Sequence, residues 1–248
     1  MTLPYRDFYY PLNVFMHILT MEEGRVAALH YGFFDDPKEP IAVAQRRSTE
    51  LLLSRLPKPP ASLLEVGIGL GDTLAELTRL GYDATGITPD DKQIAVARER
   101  HGDAVRITHA PLETFDTTQQ LDVVVFQESS QYIDSNTLWR RTQELARHRV
   151  VVLDEFSIGE GGTLHSLAHF LDEATLHGFR KTEEMDLSNK AAPSIDYFRT
   201  RLPRYREALI RDLGLTDQQV DELIEGGVNY RAQYDRGVYG YRLLVFEK

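Results

Sequence analysis

The stretch Leu63-Leu64-Glu65-Val66-Gly67-Ile68-Gly69-Leu70-Gly71-Asp72 constrains the fold of this chain more than any other. An apolar run leads into alternating glycines, and a helical pattern over Thr73–Leu80 follows, closed by Gly81. Glycines at a strand-to-helix turn let the backbone bend sharply and let a ligand approach the main chain closely. The N-terminus of the helix adds free N–H groups and positive potential, which suits a carboxylate. The spacing excludes the dinucleotide fingerprint G-x-G-x-x-G. Started at Gly67, its third glycine falls on Asp72; started at Gly69, it falls on Leu74.

Strand-like and helix-like segments alternate beyond this turn. Leu63–Val66, Ala84–Thr88, Val105–His109, Leu121–Phe126 and Arg149–Leu153 read as strands, and Tyr241–Phe246 as a last one. Several are continuous apolar runs, which implies a parallel sheet covered on both faces. The ends differ. Residues 1–56 read as mostly helical and are rich in aromatics, with Tyr5, Phe8, Tyr9, Tyr10, Phe15, Tyr31, Phe33 and Phe34. Lys58-Pro59-Pro60 punctuates the chain before the first strand. A second helical stretch, about 189–236, begins at Pro193; Gly214 divides it, and Thr216 is a plausible N-cap. The expected organisation is therefore a helical lid piece at 1–56, an α/β core at 57–188, a helical lid insertion at 189–236 and a final core strand at 237–248.

Charge and composition narrow the function. The 248 residues carry 28 Lys plus Arg against 38 Asp plus Glu, a formal net charge of −10. That field repels polyanions, so no nucleic-acid partner is expected. There is no cysteine, which excludes disulfides and Cys-ligated metal centres. No apolar run approaches the roughly 20 residues of a membrane helix, and the N-terminus does not read as a signal peptide. A cytoplasmic enzyme without stable membrane insertion is the expectation, and a homodimer is left open.

The pattern E-x-G-x-G-x-G at Glu65, Gly67, Gly69 and Gly71 resembles class I methyltransferases, which use S-adenosyl-L-methionine (AdoMet). Three other segments extend the resemblance over most of residues 30–248. Gly86-Ile87-Thr88-Pro89-Asp90-Asp91-Lys92-Gln93 is similar to the G-[IV]-T-x-S-x-x-Q segment of the cyclopropane-synthase-like and sugar or lipid methyltransferases. Phe126-Gln127-Glu128-Ser129-Ser130-Gln131-Tyr132-Ile133 is similar to the M-E-S-G-E-H-M segment of the tocopherol-methyltransferase-like group. Leu29-His30-Tyr31-Gly32-Phe33-Phe34 resembles the aromatic arm ahead of the core in tocopherol, glycine/sarcosine and related enzymes. The resemblance implies a doubly wound, Rossmann-like sheet of seven strands with an antiparallel last strand and helical lid elements. It implies AdoMet at Tyr31, Glu65, Gly67, Gly69, Gly71, Thr88, Gln93, Leu112, Glu113 and Gln127. Relatives often carry an acid for the ribose hydroxyls where Thr88 stands; Thr88, Asp90 and Gln93 are the candidates here, and Asp90 is equally a helix cap.

Ligands of open α/β sheets bind beyond the carboxyl ends of the strands. Glu128 and Tyr132, after the fourth strand, are therefore the candidate catalytic pair, with Tyr132 where relatives carry a histidine. Phe33, His165, His169 and Tyr239 are candidate substrate contacts. His165 and His169 stand four residues apart, on one face of an expected helix, yet the chain lacks an H-E-x-x-H pattern, so no metal site is expected. Asp154-Glu155 ends the fifth strand at the same cleft, either meeting substrate or capping a helix. The expected reaction is methyl transfer to an O or N atom of a small molecule. The alternatives are an AdoMet-binding module without catalysis, and C-methylation or cyclopropanation of a lipid-like acceptor.

Overall fold

In the computed structural model, residues 5–248 are described. The first four residues of the expected N-terminal helical piece lie outside them. In chain order the elements are α1 (Leu12–Glu23), α2 (Ile41–Leu53), β1 (Ser62–Val66), α3 (Asp72–Arg79), β2 (Asp83–Thr88), α4 (Asp91–His101), β3 (Ile107–His109) and β4 (Leu121–Gln127). They continue with α5 (Ser135–Leu145), β5 (Ala146–Ser157), α6 (Leu167–Leu176), β6 (Arg180–Asp186), α7 (Ser188–Ala191), α8 (Pro193–Arg204), α9 (Arg206–Leu213), α10 (Asp217–Asp235) and β7 (Tyr239–Glu247). Two compact units form. The helical unit holds the described residues up to Ser48 together with Asn189–Gly237; the sheet unit holds Thr49–Ser188 and Val238–Lys248. The division falls inside α2 rather than at Lys58-Pro59-Pro60.

The sheet unit has seven strands in the order β3-β2-β1-β4-β5-β7-β6. β1 pairs in parallel with β2 on one side and with β4 on the other, so the strand order reverses between β1 and β4. In open α/β sheets ligands bind beyond the strand ends at such a reversal. β7 runs antiparallel to both β5 and β6. Pairing with β7, from Arg149↔Glu247 to Ser157↔Tyr239, carries β5 well past the Leu153 end that its apolar run suggests. β6, Arg-Lys-Thr-Glu-Glu-Met-Asp, has no apolar run to announce it. It is one of the two edge strands of the sheet, with most of its side chains exposed while its backbone pairs with β7; charged edges also discourage pairing with other chains.

Under β4, β5 and β7 lies the aromatic heart of the core. Trp139 of α5 is fully buried, with its ring centre 5.1 Å from Phe170, 5.2 Å from Phe179 and 4.7 Å from Phe246. Tilted and edge-on arrangements of this kind suit the ring quadrupoles.

In the helical unit, sequence-distant pieces are joined by backbone. Phe34 N–H donates to the Lys190 carbonyl at 2.9 Å, and Gly32 N–H to Ser194 Oγ at 2.9 Å. Gly32 must lack a side chain, because a Cβ there would stand 2.5 Å from that of Ala44. Val14 and Ile18 of α1 pack on Leu202, Leu209, Leu215 and Val220. Pro193 opens α8, Gly214 closes α9 in left-handed backbone, and Thr216 forms a reciprocal capping box with Gln219 at the start of α10.

Trp139→Ala should therefore destabilise the protein by about 3–5 kcal/mol, the range for deleting a large buried aromatic. Trp139→Phe should cost clearly less, because it keeps most of the ring and removes an indole N–H that has no partner. Urea unfolding of the three proteins checks the ranking; equal losses in both variants would contradict it.

Candidate active site at the β1–β4 switch point

The turn after β1 is held open by left-handed backbone at Gly67 (φ +79°), Gly69 (φ +52°) and Gly71 (φ +82°). Gly67 is bound to this turn for a second reason. A Cβ on it would lie 2.5 Å from the Cβ of Ser129, in the loop after β4. Ser129 Oγ donates to the Val66 carbonyl, so the two loops touch directly at the strand ends.

Two buried side chains flank this contact, each with one polar atom that has no partner. Glu65, on β1, is 2% exposed, and its Oε2 makes no hydrogen bond. Burial, helped by the charge of Asp72, pushes its carboxyl up to about 8. Gln127, at the end of β4, accepts from Thr73 Oγ1 at 3.2 Å, while its Nε2 donor is unpaired. Such orphans are rare inside folded proteins, since each forfeits its bond to water. An acceptor and a donor beside a helix N-terminus fit the ammonium and carboxylate of an amino-acid-like ligand, and so fit the methionine end of AdoMet.

At the end of β2, Thr88 Oγ1 donates to Gln93 Oε1 at 3.0 Å and accepts from Asp90 N–H at 3.2 Å. Asp90 caps α4 through the N–H groups of Lys92 and Gln93, at 2.8 and 3.1 Å. Its capping alternative is thus realised. Thr88 and Gln93 are together, tied to one another. Leu112, 1% exposed, packs into the sheet core, and the neighbouring Glu113 is open to solvent.

The loop after β4 is built on a buried carboxylate. Asp154 Oδ2 accepts from Ser130 N–H at 2.9 Å and Oγ at 2.6 Å, and its Oδ1 accepts from Glu155 N–H at 2.8 Å. Burial raises its carboxyl to about 6, against the pull of these bonds. Asp154 therefore shapes the loop and is not free to meet a substrate. Glu128 takes φ +53°, the one non-glycine left-handed residue among those described, and its Oε1 accepts from the fully buried Tyr241 hydroxyl. Strained backbone of this kind persists only where surrounding contacts hold it. Tyr132 is 77% exposed, on the single turn Ser130–Tyr132.

Four other expectations change. His165 and His169 do not share a helical face, because Ser166 caps α6 and leaves His165 ahead of it. His165 Nε2 instead contacts the carbonyls of Ser130 and Ile133 at 3.1 and 2.9 Å, and its N–H donates to Gln131 Oε1 at 2.8 Å. It braces the loop. His169 is exposed and faces Glu173 across 4.0 Å. Tyr239 is buried, with its hydroxyl on Thr163 N–H at 3.2 Å and on Thr163 Oγ1 at 2.8 Å, fastening a loop. Phe33 is fully buried within the helical unit and acts as packing. Tyr31, in the same unit, lines a cavity there. Tyr241 was not anticipated as the partner of Glu128; nothing in an apolar strand pattern distinguishes it.

Comparison with known proteins now bears on the site. Residues 63–149 match the family model described as a methyltransferase domain. The matched stretch runs from β1 into β5 and includes the glycine turn, Gln127, Glu128 and Tyr132. An O-methyltransferase from Pyrenophora dematioidea is 37% identical over 90 residues, 34% of this chain and 34% of that protein's length. This chain thus aligns with about a third of that relative. Two solved structures share the fold. The mycolic acid cyclopropane synthase CmaA1, complexed with SAH (S-adenosylhomocysteine) and CTAB, has a TM-score of 0.81 at 16% identity, over 100% of this chain and 99% of that one. The [4+2]-cyclase SpnF has a TM-score of 0.78 at 19% identity, over 94% and 91%. The Rossmann-like, seven-stranded class I methyltransferase fold is that of this chain.

Glu65 sets a pH dependence. Its carboxyl is ordinary in the unfolded chain and raised to about 8 in the folded one. Between those values the unfolded state gives up a proton that the folded state keeps, so stability falls as pH rises through that window. Glu65→Gln removes this loss. Without ligand, its stability relative to the parent should grow between about pH 5 and pH 8, by up to about 1.4 kcal/mol per pH unit. Urea midpoints across that range decide it; parallel profiles would mean that Glu65 is ionised in the unliganded protein.

Proposed function

We propose that this protein transfers a methyl group from AdoMet to an oxygen or nitrogen atom of a small molecule. The observation that carries the reading is the pair of unpartnered buried groups, Glu65 Oε2 and Gln127 Nε2, on either side of the glycine turn of a methyltransferase domain. Glu65 would take the ammonium and Gln127 the carboxylate of the methionine moiety, with the N-terminus of α3 adding positive potential. Gly67, Gly69 and Gly71 would let the cofactor lie against the main chain. Thr88 at the end of β2 and Gln93 in the first turn of α4, hydrogen-bonded to each other, would serve the ribose side, and Tyr31 remains a candidate cofactor contact.

AdoMet supplies an electrophilic methyl group on its sulfonium. The protein's part is to hold an acceptor in line, exclude water and receive the acceptor's proton. Glu128 would take the last task. Its left-handed backbone and its bond from the Tyr241 hydroxyl hold the carboxylate in place. Tyr132, on the next turn, would orient the acceptor by hydrogen bonding, since a phenol with an ordinary pKa of about 10 is a poor base at neutral pH. The O-methyltransferase relative favours an oxygen acceptor.

Incubation with AdoMet and a metabolite library, read by mass spectrometry, should yield S-adenosylhomocysteine together with a product heavier by one methylene. With that acceptor, Glu128→Gln and Tyr132→Phe should lower kcat by roughly tenfold or more, equivalent to about 1.4 kcal/mol of barrier, and leave the affinity for S-adenosylhomocysteine within about twofold. Tight AdoMet binding without any turnover would point to a binding module instead. Unchanged kcat in both variants would place the chemistry on other residues.

A further inference from the structure

The helical unit contains a cavity of about 460 Å³. That is within the range of small-molecule sites, about 300–1,000 Å³. Its wall is mostly apolar: Phe15, Met16 and Leu19 from α1, Ile195 and Leu202 from α8, and Leu223 from α10. Charged residues are confined to Arg199 and Glu222, and both are engaged. Arg199 donates to Asp196 at 2.9 Å, and Glu222 accepts from Gln218 Nε2 at 2.8 Å.

One polar group in the wall is unexplained by the fold. Gln45 of α2 is 3% exposed and lines the cavity. Its Nε2 donates to the carbonyls of Ala28 and His30, at 3.1 and 2.8 Å. Those two carbonyls accept only, so they fix which end of the amide is nitrogen. Its Oε1 has no partner. Ser194, another polar residue of the wall, is satisfied by both backbone groups of Gly32, at 2.9 and 3.2 Å. His30 adds no charge: burial lowers its imidazole to about 4, and its Nδ1 lies 2.9 Å from the Tyr31 carbonyl, so Nδ1–H donates there.

We propose that this cavity is a binding site for a neutral, largely apolar small molecule carrying a hydroxyl, whose O–H donates to Gln45 Oε1. A buried acceptor costs free energy until a donor reaches it. An ammonium would also donate, but it would lose its hydration with no carboxylate beside Gln45 to replace it. A carboxylate brings no donor and meets a lone pair. The apolar wall supplies affinity by area, and the single amide oxygen supplies selection. The site belongs to the helical unit alone and stands whether or not the protein transfers methyl groups.

Titration calorimetry with 4-butylphenol and with its methyl ether, 4-butylanisole, tests the site without AdoMet. The two ligands share an apolar body and differ in the O–H. The phenol should bind at least about tenfold more tightly. Gln45→Met should abolish that advantage while leaving the ether's affinity within about twofold, which also shows the cavity intact. Gly226 lines the cavity on α10, and its Cβ position meets nothing within 4 Å. Gly226→Phe, which suits a helix better than glycine, provides a second variant and should weaken both ligands. Equal affinity for phenol and ether in the parent protein, or no binding of either, would overturn the proposal. So would a phenol preference that survives Gln45→Met.

Discussion

The contact between Gly67 and Ser129 is what the sheet-side site depends on. β1 and β4 are neighbours in register, from Leu63↔Val123 to Val66↔Phe126, so they end at the same level. Their loops then meet over the strand ends, and no room is left there for a side chain on Gly67. Ser129 Oγ on the Val66 carbonyl closes the contact. Once this is in place, Glu65 and Gln127 stand on adjacent strands beside the start of α3, and Glu128 follows directly.

The buried polar groups around that contact divide by how well they are satisfied. Asp154 accepts three hydrogen bonds and holds the loop after β4 from beneath. His165 and Tyr239 are likewise spent on fastening backbone and a neighbouring hydroxyl. Glu65 and Gln127 each keep one atom with open bonding capacity, which costs free energy until a partner reaches it. The same accounting, applied inside the helical unit, isolates Gln45. In both units the groups that the fold leaves unsatisfied are more informative than those it satisfies.

Much of the sheet was legible because its signals are local. Continuous apolar runs mark β1, β4 and β5, and Pro193, Gly214 and Thr216 mark the helix ends of the insertion through φ restriction, left-handed backbone and capping. β6 was not legible, since an edge strand needs no apolar face and its Arg-Lys-Thr-Glu-Glu run reads like any solvated segment. The helical face assumed for His165 and His169 failed for a related reason. Ser166 starts α6 between them, and a serine can cap a helix or sit within one; its neighbours decide which.

By itself, the sequence determined the α/β class, the glycine turn and the exclusion of the dinucleotide fingerprint, because backbone conformation at glycine and strand burial are encoded over a few residues. Only the tertiary structure decided which polar side chains were left for ligands. Leu112, Phe33, Tyr239 and His165 looked available, yet packing or hydrogen bonds between segments far apart in the chain claim them. Gln45 and Tyr241 carried no mark in the sequence. Their significance comes from what stands opposite: two carbonyls for one end of the Gln45 amide and nothing for the other, and the carboxylate of Glu128 for the buried phenol of Tyr241. Whether a hydrogen-bonding group is satisfied depends on all its neighbours in space, and that is fixed only when the chain has folded.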